Sequence, residues 1–135
     1  MDIDKFLAIS ASGMAAQATR LTVIAQNLAN ADSTGSSPGA DPYRRKTITF
    51  GEQVDRAGGE SEVTVRAVGT DPSDFPRRYD PSNPAADAAG YVKLPNVNPI
   101  VEMMDMREAE RSYAANLAVM QTARGMLTRT IAMLK

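Results

Sequence analysis

With no His and no Cys in 135 residues, acid–base chemistry near neutral pH would fall to carboxylates, and metal binding would lose imidazole and thiolate. Glu102, Asp105 and Glu108 recur every three residues near the C-terminus, a spacing that could suggest a di-metal carboxylate bundle. That class of site also requires a His three residues from a Glu on paired helices, and this chain has none. The acidic residues are therefore read as complements to the positive end of a helix dipole. Asp71 with Asp74, and Asp80 with Asp87, bracket stretches dense in Pro, Ser and Asn, where short acidic side chains close turns. Arg44, Arg45 and Lys46 form a basic cluster, read as a solvated strand start. No phosphate-binding loop, dinucleotide fingerprint or calcium loop occurs. The expectation is no catalytic, cofactor-binding or metal-binding residue, no small-molecule substrate and no enzyme.

Composition narrows the classes further. Fifteen basic residues against sixteen acidic leave a net charge of −1, whereas nucleic-acid binding needs a clustered excess of Lys and Arg. Hydrophobic residues make up 43% but aromatic ones only 5%. The apolar content is mostly Ala, Val, Leu, Ile and Met, which suits helix packing better than a deep ligand pocket.

The helix breakers show which elements must carry the function. Every Pro except Pro99, and every Gly except Gly13 and Gly125, lies between Gly35 and Pro95, while every Met lies outside that stretch. Gly and Pro oppose helix interiors. The chain is thus predicted to be mainly α, with two long terminal helices forming a coiled-coil seam around a small β-rich, Pro/Gly-rich insert. The division is residues 1–33, 34–97 and 98–135.

In the first helix, predicted over residues 4–30, Leu7, Met14, Leu21 and Leu28 repeat every seven residues, with Ala11, Ala18 and Ala25 as a second, small row. Ile24 and Phe6 widen the apolar face. Asn30, Asp32, Ser33 and Gly35 supply a stop, since Asn and Gly tolerate left-handed backbone at a helix end. The last helix has Asn98 as N-cap and Pro99 in the first helical position. Met106, Tyr113, Met120, Leu127 and Leu134 repeat there every seven residues, flanked by Ala109, Asn116, Ala123 and Thr130. Met103, Leu117 and Ile131 lie on the other side. Asn116, in the small-residue row, is read as a register-fixing polar group. Asn27 and Asn30 lie three apart, and Asn30 is either a helix cap or a second register residue.

An ordinary amphipathic helix buried in its own domain would show the same stripes. Length argues otherwise: helices of roughly 40 and 55 Å exceed the roughly 30 Å width of a domain this size. Some of the seam overhangs, and an overhanging apolar stripe needs other chains to cover it. Within the insert, residues 43–50 and 62–68 alternate as two strands, with Gly58 and Gly59 between them. Residues 71–84 read as an irregular extended arm. No run of about 20 apolar residues marks a membrane span. The opening Met1, Asp2, Ile3, Asp4, Lys5 is unlike a secretory signal.

The runs Ser12, Gly13, Met14, Ala15, Ala16, Gln17 and Asn27, Leu28, Ala29, Asn30, Ala31, Asp32, Ser33 closely resemble the N-terminal signature of bacterial flagellar axial proteins, the rod and hook family. The stretch Tyr79, Asp80, Pro81, Ser82, Asn83, Pro84, with Gly90, Tyr91, Val92, Lys93, Leu94, Pro95 and Asn96, resembles the proximal rod subunits of that family. So does the stretch containing Glu102, Met103, Ala109, Arg111, Ser112, Tyr113, Ala115, Asn116 and Leu117. The resemblance implies a structural subunit of the flagellar proximal rod, whose terminal helices build a helical tube that transmits motor torque across the periplasm. It implies as partners copies of this chain, other rod proteins and the flagellar type III export apparatus, with export that cleaves no signal peptide. The expected contact residues are Leu7, Met14, Ala18, Leu21, Ala25, Asn27, Leu28 and Asn30 on the first helix. On the second they are Met106, Tyr113, Asn116, Met120, Ala123, Leu127 and Leu134. A helical-hairpin adaptor or export chaperone is the alternative from another class.

Overall fold

The computed structural model of the chain describes residues 3–54 and 61–134, with the Asp4 side chain set aside. The element order is α1 (Ile3–Ala29), β1 (Lys46–Val54), β2 (Ser61–Thr70), β3 (Arg77–Tyr79), β4 (Tyr91–Lys93) and α2 (Pro99–Met133). Two helices of 27 and 35 residues thus flank a strand region, and the strands take a larger share than the mainly helical expectation implied. The connection carrying Gly58 and Gly59 lies outside the described residues.

The helix ends follow from local chemistry. Asn98 Oδ1 accepts hydrogen bonds from the Ile100 N–H at 3.1 Å and the Val101 N–H at 3.5 Å, the geometry of an N-cap, with Pro99 in the first turn. α1 ends differently from the expectation. No non-Gly residue among those described has a positive φ, so Asn30 makes no left-handed cap. Its side-chain Nδ2 instead donates at 2.8 Å to the Gln26 carbonyl, which also accepts the Asn30 backbone N–H at 3.2 Å.

β1 pairs with β2 in one two-stranded sheet and β3 with β4 in another. In the first, Gly51 faces Arg66 and Gly69 faces Thr47, so one strand advances as the other recedes and the pair is antiparallel. The second is also antiparallel, in the register Arg77↔Lys93, Arg78↔Val92, Tyr79↔Tyr91. This hairpin corrects the reading of residues 71–84 as an arm without regular structure. Pro76 precedes β3 and Pro81 follows it, so the prolines bound the strand and leave its interior free to pair. The connecting turn is built by Asp87, whose Oδ1 accepts from the Ala89 and Tyr91 N–H groups at 2.9 and 3.0 Å. Gly90 adopts φ 82°, a left-handed conformation that favours Gly.

The residues group into two compact units. One comprises Met1–Leu21, Ile48–Ala67 and Arg107–Lys135, and the other Thr22–Thr47 and Val68–Met106. Each draws on both helices and on the strand region. No described helix is long and apolar enough to cross a membrane.

Candidate assembly site

In the first unit, the two helices meet along small residues. Ala16, Ala109 and Ala123 are buried, as is Ser10, and a Cβ at Gly13 would stand 2.9 Å from Asn116 Nδ2. Further along, Arg20 reaches Glu108 at 3.5 Å. Positions 13 and 20 advance on α1 as 116 and 108 recede on α2, so the helices run antiparallel within one chain. Side chains this small let the backbones approach closely, which an Ile or Leu row would prevent. Ser12 Oγ also accepts the Val63 N–H at 3.2 Å, which ties β2 to α1 and covers part of an open strand edge.

The large residues are left outside this contact. On α2, Tyr113, Leu117, Leu127 and Ile131 are exposed, as is Leu134 just past its end, to 83%, and Met120 is half-buried. They recur at spacings of four, three, seven, four and three residues, a seven-residue repeat interrupted at Arg124. Tyr113, Met120 and Leu127 lie four residues, about 40°, and Leu117 one residue, about 100°, around the helix from the line of Ala109, Asn116 and Ala123. A separate open apolar groove is lined by Ile3, Phe6, Ala118, Val119, Thr122, Ala123 and Met126.

The expected contact residues fall into three groups. Leu7, Met14, Leu21, Leu28, Asn30, Met106, Asn116 and Met120 are half-buried, and Asn27 and Ala123 are buried in the chain's own structure. Ala18, Ala25, Tyr113, Leu127 and Leu134 are exposed. The Ala row of α1 thus faces solvent.

The second unit contains a polar junction. Asn27 is 1% exposed and Glu102 fully buried. The Asn27 carboxamide donates to the Lys46 carbonyl at 2.9 Å and to Glu102 Oε2 at 3.2 Å. Its oxygen accepts from the Lys46 N–H at 2.8 Å and from the Tyr43 hydroxyl at 2.9 Å. All four hydrogen-bonding positions of the side chain are used. Arg45 Nε donates to Glu102 Oε1 at 2.5 Å, and its guanidinium lies 3.8 Å from both Asp71 and Asp105. Tyr43 has its pKa raised, first by burial and then by the Glu102 charge.

This junction corrects two readings. The basic cluster is not merely solvated: Arg45 bonds Glu102, Lys46 Nζ bonds Gln26 at 2.9 Å, and Arg44 donates to the Asp71 and Ser73 carbonyls while its guanidinium stacks 4.1 Å from the Phe75 ring centre. Glu102 stands near a helix start, as expected, but its burial is matched by an ion pair and not by the helix dipole alone. The signal available in sequence was a Glu in the first helical turn together with three consecutive cations, with nothing to show that they meet. Asp71 and Asp87 do close turns, and backbone hydrogen bonds from Ser73 and Tyr91, respectively, are the main cause of their lowered pKa values.

No group of three acidic side chains among the described residues is arranged to hold a metal ion; Asp71 and Asp87 close turns, and Asp41, Asp80, Glu102 and Glu108 form ion pairs. The described residues offer surfaces for packing.

Comparison with known proteins agrees with that character. Residues 7–35 match the family model described as flagella basal body rod protein, and residues 88–133 match that of the flagellar basal body rod FlgEFG protein C-terminal region. The flagellar basal-body rod protein FlgC of Agrobacterium fabrum is 54% identical over 127 residues, covering 94% of this chain and 91% of that protein. FlgC of Salmonella typhimurium is 45% identical, covering 91% of each, and FlgC of Bacillus subtilis 39% identical, covering 93% of each. Relatives this similar, matched over nearly their whole length, show the family: the chain belongs to the FlgC family of flagellar basal-body rod proteins.

Proposed function

We propose that this chain is a structural, non-catalytic subunit of the flagellar rod, which packs through the open rows of its helices against copies of itself and against other rod proteins. The observation that carries the reading is the exposed row Tyr113, Leu117, Leu127, Ile131 and Leu134 along a helix whose adjacent, small-residue line is already used within the chain. A soluble chain does not leave such a ridge open without a partner for it. Asymmetric contacts between copies generate an open helical array, the form a shaft requires. Long helices in continuous side-chain contact would transmit torque, because packed interiors are stiff.

The same reading places the subunit in the basal body within the periplasm, delivered through the flagellar export apparatus without cleavage of a signal peptide. Helices short of large buried side chains suit a chain that travels unfolded and completes its packing on arrival. The test is Leu127→Asp or Ile131→Asp in a flagellated host. Export should continue while rod incorporation and swimming are lost, and normal swimming by both variants would refute the proposal.

A further inference from the structure

We infer that Asn27, Arg45 and Glu102 form a buried latch through which the first turn of α2 fixes the register of β1, so that the base of the strand region takes its fold only when all three are in place. The main chain at residues 45 and 46 carries the argument. Lys46 turns its N–H and C=O to one side, where the Asn27 carboxamide meets both. Arg45 turns its own to the other side: its N–H donates to Asn96 Oδ1 at 2.8 Å and its carbonyl accepts from the Asp71 N–H at 2.9 Å. Main-chain groups alternate sides along a strand, so a slip of one residue would exchange the two edges. It would leave Asn27 and Asn96 facing groups that cannot answer them, and Asn27 is buried where water cannot compensate.

Glu102 completes the specification. An ionised carboxylate only accepts hydrogen bonds, so it holds the Asn27 carboxamide with nitrogen toward α2 and oxygen toward Tyr43. It is also a fully buried charge whose direct partner is Arg45, and such a charge is tolerated only with its partner present. The three residues come from α1, the β1 entry and α2, so none of these segments can satisfy the others early. The β3–β4 hairpin does not depend on the latch, because its own turn bonds, including Asp80 N–H to the Gly90 carbonyl at 2.9 Å, close it locally.

The inference does not rest on the assembly reading, since it is tested on the free full-length subunit. Hydrogen exchange is followed at the amides of Arg45, Lys46 and Asp71, with the Asp80 and Gly90 amides of the hairpin as internal reference. In Arg45→Gln, which leaves the Glu102 carboxylate buried without its direct partner, protection at the first three should fall by about tenfold or more, as for a lost hydrogen bond to a charged group, while the hairpin stays as in the parent. Replacing both partners, Arg45→Gln with Glu102→Gln, removes the unpaired charge and should return much of the lost protection. Unchanged exchange in the single variant, loss that extends equally to the hairpin, or a double variant no better protected than the single one would each overturn the latch.

Discussion

Gly13 of α1 lies so close to Asn116 of α2 that a Cβ at position 13 would stand 2.9 Å from the Asn116 Nδ2. A glycine in a helix interior costs about 1 kcal/mol relative to Ala, and here that cost admits a polar side chain into a line otherwise made of Ala and Ser. The pair sets how closely, and at what position, the two helices meet.

The two effects can be separated by a double-variant cycle. Gly13→Ala gains helix propensity but must displace Asn116, so its effect should be near zero or destabilising. In an Asn116→Ala background the obstruction is gone and the same change should stabilise by up to about 1 kcal/mol. Chemical denaturation of the four proteins reads the difference, and equal effects in both backgrounds would show that the close approach has no energetic weight.

Gly90 combines a φ of 82° with a position where a Cβ would stand 2.9 Å from Tyr79 Cε2. Gly90→Ala should destabilise the β3–β4 hairpin by roughly 1–2 kcal/mol from the backbone alone. It should also disturb the edge-to-face pair of Tyr79 and Tyr91, whose ring centres lie 5.3 Å apart. The near-ultraviolet tyrosine signal and the amide exchange of residues 77–79 would report both effects.

Acid should loosen the turns. Asp87 and Asp71 have lowered pKa values in the folded chain, owing first to hydrogen bonds from the Tyr91 and Ser73 backbone, respectively. A folded pKa below the unfolded one contributes stability that is present above the unfolded value of about 3.9 and is lost as pH falls through the folded value. Carboxyl titration by NMR should therefore show both groups titrating lower in the folded chain than in the unfolded one, and Asp87→Asn should remove its share of the acid dependence.

Asn98 accepts from two otherwise open N–H groups at the start of α2. Asn98→Ala should cost about 1 kcal/mol, with faster exchange at Ile100 and Val101 and little change beyond residue 107. An unaffected first turn would mean that the cap is dispensable.

How much of this was legible in the sequence varies by element. The helices could be read because apolar residues recur with a helical period, and because Asn98 and Pro99 mark a start in neighbouring positions. The strand pair of residues 43–50 and 62–68 was visible from alternation, although β1 and β2 run several residues further in places. The β3–β4 hairpin was hidden because its strands have three residues each, too few for a period to show among the prolines. The polar junction was hidden for another reason: Asn27, Arg45 and Glu102 come from three distant segments, and the value of each depends on the other two. The choice between rows was also beyond periodicity, since lines such as Leu127 with Leu134 and Asn116 with Ala123 share one repeat and differ only by rotation around α2. Side-chain size decides it, with the small line closing within the chain.

The central claim is that the large row on α2 is covered by neighbouring subunits once the rod is built. The chain contains no Cys, so Leu127→Cys introduces a single reporter on the row. Labelling with a maleimide should proceed readily in the free subunit and be blocked in purified basal bodies that carry the variant. Equal labelling in both would mean that the row stays open in the rod, and the assembly account would be wrong.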